Sequence, residues 1–327
     1  MMRYSRIFSL SLLLGCCGLA ANERLAVNDR KVPENRQDLE MIQDAVRAGL
    51  PGARAATVCI EAKGGSGSGV IVSPDGLVLT AAHVASGVRQ KVTVILEDGT
   101  RLAGETLGLV ADKDAAMVRI TDKRIFPFVR LDRAASTQLG DWVFALGHSG
   151  GLDQARGSVV RLGRLVRIAH SSFQSDCMVI GGDSGGPLFD LTGKLIAIHS
   201  RVGVQMQVNM HVPVSVFIDH WEDLLAAEFI GEGPYAEKPV KGNGFLGLAT
   251  ETRPKGGLRV TKVGHGSPAE EAGVREHDVL LKLNHRALEN REQMQDFLKE
   301  LSAGDEIILE MERGGKAKTF TFNLGAR

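Results

Sequence analysis

Gly181-Gly182-Asp183-Ser184-Gly185-Gly186-Pro187 places one serine between glycines on both sides, directly before the apolar pair Leu188-Phe189. Glycine reaches backbone conformations closed to other residues, so such a loop can turn sharply and aim its N–H groups inward. A serine nucleophile needs that setting: an exposed Oγ beside backbone donors for the oxyanion formed during acyl transfer. A plain Gly-rich turn between strands gives the same pattern. Partners elsewhere in the chain decide between the two.

Two partners lie upstream. Leu79-Thr80-Ala81-Ala82-His83-Val84 sets a histidine after small residues, at the end of an apolar run with a turn at Ser73-Pro74-Asp75-Gly76. Asp112-Lys113-Asp114-Ala115-Ala116-Met117-Val118 sets an aspartate at the mouth of another short strand. A hydroxyl is a weak nucleophile until a base accepts its proton, and the base needs an acid to fix its tautomer. Thr-Ala-Ala-His followed by Gly-Asp-Ser-Gly-Gly-Pro, in this order, resembles a trypsin-like serine protease. The resemblance implies His83, Asp114 and Ser184 as the catalytic residues, with the N–H groups of Gly182 and Ser184 as the oxyanion donors. Asp112 competes for the acid's place, and on a strand it would face the same side as Asp114; the family pattern selects Asp114. Asp183 reads as a loop-shaping residue and His148 as a loop residue.

The resemblance also places the walls of a substrate pocket at Ile198, His199, Ser200, Met210 and His211. No carboxylate sits in those stretches, which argues against a preference for lysine or arginine before the cut. A small or medium apolar residue is the expectation, with His199 and His211 as unusual wall residues.

Composition fits an exported, strand-rich protein. Lys+Arg and Asp+Glu both total 39 over 327 residues, so no net field recruits nucleic acid or an anionic membrane. Arg3 and Arg6 precede the short apolar core Ile7–Leu14, which is too short to span a bilayer. Cleavage after Ala20 or Ala21 releases a soluble protein, whereas Leu13-Leu14-Gly15-Cys16 reads as a lipoprotein box ending at Cys16. Membrane attachment is expected only in that second case; either way the chain leaves the cytoplasm, for a bacterial periplasm or cell envelope. Cys59 and Cys177 remain after the signal; an oxidising compartment permits a disulfide between them, and two buried thiols is the preferred reading. The nine histidines show no metal-ligand spacing, and no metal or cofactor is expected.

After the signal, Leu39, Ile42, Ala45 and Val46 recur at helical spacing behind Pro33-Glu34-Asn35, with Gly49 and Pro51 as the expected stop. From Ala53 to about Phe229 short strands alternate with polar turns, the pattern of a barrel or sandwich. The Gly/Pro/charge-rich run Gly231–Pro239 reads as a linker. Beyond it, Gly244-Phe245-Leu246-Gly247-Leu248, Ser267-Pro268-Ala269…Ala272-Gly273-Val274 and Asp278-Val279 closely resemble a bacterial PDZ domain. His277 and His285 stand where that family usually has glycine. Such domains add an extended peptide to a sheet edge. The resemblance implies that the N–H groups of Leu246, Gly247 and Leu248 hold a terminal carboxylate, with Met294 and Phe297 in the side-chain pocket.

The fold expected is therefore mostly β: a trypsin-like double β-barrel of six strands each, followed by an α+β PDZ domain. The divisions are 1-21 (signal), 22-52 (N-terminal segment with an amphipathic helix), 53-230 (protease-like domain), 231-242 (linker) and 243-327 (PDZ). The combination resembles the HtrA/Deg family of extracytoplasmic quality-control proteases. That resemblance implies an ATP-independent serine endopeptidase for unfolded or damaged exported proteins, C-terminal peptides as PDZ partners, and a homotrimer. The N-terminal region shows none of the family's aromatic trimer cluster. A PDZ-tethered chaperone or scaffold with a vestigial site is the competing reading.

Overall fold

The computed structural model describes residues 24–62, 65–203, 208–236, 238 and 240–326. The expected signal segment, with Cys16, lies outside the described residues.

The chain enters through helix α1 (Arg36–Ala56), capped by the Asn35 side chain, which accepts the Asp38 N–H at 3.0 Å. The sequence predicts a stop at Gly49 and Pro51, but α1 runs through Pro51 to Ala56. Burial of Ala53 and Ala56 outweighs the hydrogen bond that proline removes. Gly49 lies inside the helix beside the Phe144 ring, where a Cβ would make an ordinary contact at 3.4 Å.

Six strands follow: β1 (Thr57–Ala62), β2 (Gly65–Ile71), β3 (Leu77–Thr80), β4 (Lys91–Ile95), β5 (Arg101–Val110) and β6 (Ala115–Ile120). They run in the order β5-β4-β1-β2-β3-β6, and a β5–β6 pairing closes the barrel. Helix α2 (Ala82–Ala85) follows β3 directly. The second barrel is closed by β7 (Trp142–Gly147), β8 (Val159–Ala169), β9 (Ser172–Ser175), β10 (Pro187–Asp190), β11 (Leu195–Val202) and β12 (Asn209–Pro213). One apolar core is continuous from Val58, Leu79 and Met117 in the first barrel to Phe144, Leu146 and Phe189 in the second. The two barrels are thereby held rigidly against each other, as positioning a site between them requires.

Helices α3 (Val214–Asp219) and α4 (Trp221–Leu225) lead to β13 (Phe229–Ile230), which pairs in parallel with β5. The linker is pinned rather than free. Gly233 approaches the Ala111 and Asp112 backbone too closely for any side chain, and the Tyr235 hydroxyl bonds the Arg201 guanidinium.

The C-terminal part begins with β14 (Gly244–Phe245) and continues with β15 (Leu248–Thr252), β16 (Leu258–Val263), helix α5 (Pro268–Glu271), β17 (Val279–Leu283) and β18 (Arg286–Ala287). It ends with helix α6 (Arg291–Lys299), β19 (Glu306–Arg313), β20 (Lys316–Asn323) and β21 (Gly325–Ala326). The main sheet runs β15-β16-β17-β19-β20 around its own apolar core, leaving β15 as an outer strand beside α6. Polar contacts tie this part to the first barrel: Asn323 Nδ2 donates to the Arg89 carbonyl at 3.1 Å, and Arg89 pairs with Asp305 at 3.7 Å.

Candidate active site

The first barrel supplies His83 from α2 and Asp114 from the turn between β5 and β6. Asp112 and Asp114 do not share a strand face. The chain turns at Asp112-Lys113, and Asp114 sits at φ 61, in the left-handed region. A non-glycine residue there costs about 1–2 kcal/mol, offset here by the bonds its carboxylate makes. His83 Nδ1 lies 2.9 and 3.0 Å from the two Asp114 oxygens, the His83 main-chain N–H donates to Oδ1 at 3.1 Å, and the Ser200 hydroxyl donates to Oδ2 at 2.5 Å. The carboxylate is therefore held at three points and is fully buried. It fixes the His83 proton on Nδ1 and leaves Nε2 as a bare base. Asp112 is exposed and pairs with Lys113 at 2.9 Å.

Ser184 comes from the loop before β10 in the second barrel. His83 and Ser184 line one cavity of about 380 Å³, together with Ile180, His199, Ser200 and Tyr235. Among the described residues the Ser184 hydroxyl makes one hydrogen bond, to the Ser200 carbonyl at 3.5 Å. No hydrogen bond joins it to His83.

The Gly-rich loop is tied down carbonyl by carbonyl. The Gly181 carbonyl accepts from Gly150 N at 2.6 Å and the Asp183 carbonyl from Gly186 N at 2.8 Å. Because a trans peptide points its C=O and N–H opposite ways, these bonds fix the direction of the Gly182 and Ser184 N–H groups. Neither N–H donates to any protein group among the described residues. Gly182 (φ +91) and Gly185 (φ +82) both need the left-handed region, and a Cβ on them would collide with the carbonyls of His148 and Ser68 respectively.

Ser68 of β2 stitches this loop to the first barrel. Its N–H donates to the Ser184 carbonyl at 2.7 Å, and its hydroxyl donates to the Gly182 carbonyl at 2.8 Å while accepting the His148 N–H at 2.9 Å. Thr80 Oγ1 braces the Ser68 carbonyl at 2.8 Å. Asp183 is wholly buried: it accepts from Ser149 Oγ at 2.6 Å and from Ile180 N at 2.9 Å, and pairs with the Arg161 guanidinium at 3.1 Å. His148 is buried too, so it belongs to the loop's support rather than to an open loop.

The expected pocket residues divide. His199 and Ser200 line the cavity. Ile198 faces the apolar core instead, and Met210 lines a separate recess beside Asp112 and Lys113. The strand alternation of β11 explains Ile198, which points away from the side that carries His199. His211 lies behind His199, with the two Nδ1 atoms 3.0 Å apart. Val179, Arg201, Val202 and Tyr235 line the cavity without having been singled out in the sequence. Chain proximity to Ser184 and Ser200 is the one signal that could have pointed to Val179, Arg201 and Val202, and Tyr235, in the linker, has none.

Cys59 and Cys177 are buried free thiols in different barrels, and burial pushes them up to about 11 and about 12. Among the described residues no cluster of His, Cys, Asp and Glu is placed to hold a metal ion, and no helix is long and apolar enough to cross a membrane.

In the C-terminal part, Gly247 takes φ +82 between β14 and β15, and its carbonyl accepts from Gly264 N at 2.8 Å. Leu246 is buried and Leu248 opens the outer strand β15. Met294 is buried in this part's core, while Phe297 is half-buried with the Arg286 guanidinium 4.7 Å from its ring centre.

Comparison with known proteins matches residues 67–198 to the trypsin-like peptidase domain and residues 244–324 to the PDZ domain. The chain thus carries a trypsin-like peptidase domain followed by one PDZ domain. It is 30% identical over 268 residues to a protein of Pseudomonas savastanoi pv. phaseolicola named as a DegP-like periplasmic serine endoprotease, covering 80% of this chain and 56% of that one. A protein of the same name from Pseudomonas fluorescens is 29% identical over 313 residues, covering 91% and 65%. The chain thus spans between about half and two thirds of the length of these relatives. The crystal structure of the serine endoprotease from Yersinia pestis superposes with a TM-score of 0.50 at 23% identity, covering 90% of this chain and 99% of that one. That last likeness speaks for the fold alone: a trypsin-like double barrel followed by a PDZ domain.

Proposed function

We propose that this HtrA/Deg-type chain is a serine endopeptidase acting on unfolded or damaged exported proteins. The observation that carries the reading is the His83–Asp114 pair, at 2.9 Å, facing the Ser184 cavity from the opposite barrel. Binding of a polypeptide brings the Ser184 hydroxyl onto His83 Nε2, a bond that is commonly long in free enzymes. Ser184 Oγ then bonds to the scissile carbonyl carbon as its proton passes to Nε2. The carbonyl oxygen becomes an oxyanion held by the Gly182 and Ser184 N–H groups. Collapse breaks the C–N bond, and the amine leaves with the proton from His83. Water attacks the acyl-enzyme by the same sequence, returning the proton to Ser184. Asp114 keeps Nδ1 protonated and stabilises the imidazolium; one oxyanion donor contributes about 2.7–4 kcal/mol to the transition state.

The free outer edge of β15 beside α6 supports binding of an extended C-terminal peptide, with Leu246, Gly247 and Leu248 at its carboxylate end and Phe297 along its side. Location in the periplasm or cell envelope follows from the relatives' names and the basic-apolar N-terminus, with lipid attachment only if Cys16 is the acceptor. A homotrimer remains part of the proposal through the family likeness.

Incubating unfolded casein with the purified chain and with Ser184→Ala tests the activity. Cleavage by the first and none by the second, at equal circular dichroism, is the expected result. Undiminished cleavage by Ser184→Ala contradicts the assignment, and no cleavage by either protein favours a PDZ-tethered scaffold.

A further inference from the structure

The cavity beside Ser184 has an unusual floor. His199 lines it and is itself buried, and its Nε2 has no hydrogen-bond partner among the described residues. The Leu146 carbonyl lies near the ring without reaching hydrogen-bonding geometry. Behind the ring runs a relay. His199 Nδ1 lies 3.0 Å from His211 Nδ1, and His211 Nε2 lies 2.7 Å from Ser175 Oγ.

Proton accounting gives the relay a direction. Burial is the main cause holding both imidazoles well below the usual histidine range, so each carries one ring proton. Ser175 Oγ accepts the Cys177 N–H at 3.2 Å and still carries its own proton, which we assign to the bond with His211 Nε2. With that assignment His211 holds its proton on Nδ1 and donates it to His199 Nδ1. That leaves the His199 proton on Nε2: among the described residues, a buried donor without an acceptor, which is unfavourable until a ligand supplies one. The tautomers follow from this chain of bonds.

The surrounding charge is one-sided. Among the described residues that line the cavity, Arg201 on β11 carries the positive charge and none carries a carboxylate. From β8, the Arg161 guanidinium also acts on His199, with Asp183 as its own partner. Asp114 is engaged by His83 and Ser200.

We propose that His199 is the specificity-determining residue of this pocket, and that the pocket takes a glutamate side chain on the N-terminal side of the scissile bond. The glutamate carboxylate accepts the Nε2–H of His199, while Arg201 supplies opposite charge at the cavity wall. The Ser175–His211 relay occupies His199 Nδ1 and so keeps the ring proton on Nε2, where a neutral imidazole donates it to the carboxylate. This replaces the apolar preference read from the sequence, and it rests on the serine endopeptidase reading above.

The test uses the full chain with peptidyl diphenyl phosphonates identical except for Glu, Gln, Val or Lys at the position that enters the pocket. In each, the Ser184 oxygen bonds phosphorus, phenoxide leaves and the proton passes to His83, so the rate of adduct formation at Ser184 reports pocket preference alone. The expected result is reaction with the Glu probe roughly 10- to 100-fold faster than with the Val or Gln probe, the range of a charge-assisted hydrogen bond. In His199→Val the Glu:Val ratio should invert; taking the ratio within one protein cancels any general loss of rate. Faster reaction with Val than with Glu in the unaltered chain overturns the proposal even if the variant fails to fold, and equal rates for Glu and Gln overturn its charge requirement. In both cases the adduct itself leaves the endopeptidase reading standing. Failure of every probe, and of a small fluorophosphonate, to modify Ser184 overturns that reading and this proposal together.

Discussion

His199 and His211 are bases held neutral by burial, with His199 lowered to about 3. Their folded values lie below the unfolded value of about 6.5, so the unfolded chain binds more protons between the two. Stability therefore falls as pH drops below about 6.5 and is fully present above it. Melting temperature measured from pH 7.5 to 5 should decline, and His199→Val should flatten that decline; an identical slope in both proteins contradicts the account. Arg161 makes a second case. Removing one partner of a buried ion pair costs about 3–5 kcal/mol because the other charge is left alone. Arg161→Leu should thus loosen the Ser184 loop and slow fluorophosphonate labelling, and adding Asp183→Asn should restore part of the rate. A double variant as slow as the single one would show that charge pairing is not what holds the loop. The three side chains proposed to react, His83, Asp114 and Ser184, stand out in the sequence because small residues or glycines flank each of them. Ser68 and Arg161 do not, nor do the bracing bonds that Thr80 and Ser200 make, since a lone hydroxyl or guanidinium on a strand carries no local signal and its partner depends on register across two barrels.

Among the elements, strands with apolar alternation and polar turns such as Glu97-Asp98-Gly99 fall where the pattern puts them. Helix α1 does not, because tertiary burial of Ala53 and Ala56 overrides the local stop at Pro51. The turn before β17 carries a visible cost. His277 sits exposed at φ 72, a conformation that glycine adopts without penalty. His277→Gly should stabilise the PDZ part by about 1 kcal/mol, partly offset by the greater freedom of glycine in the unfolded chain. Thermal denaturation followed by circular dichroism measures this, and a lower melting temperature for the glycine variant would mean that His277 makes contributions beyond its backbone angle.

At the scale of the molecule, the linker joins two stories. A Gly/Pro-rich run reads as a spacer, yet Gly233 packs on the Ala111-Asp112 backbone and the Tyr235 ring stands 6.4 Å from the His83 ring. The segment that leads to the PDZ domain thus forms one wall of the Ser184 cavity. Composition hides this, because glycine allows close packing as readily as it allows freedom. The central claim is that residues from two separately closed barrels act as one unit across that cavity. Treating the full chain with a fluorophosphonate and mapping the adduct by peptide mass spectrometry tests it most directly. The account predicts one adduct, on Ser184, with a rate that collapses in His83→Ala. Labelling absent from Ser184, or just as fast without His83, contradicts it.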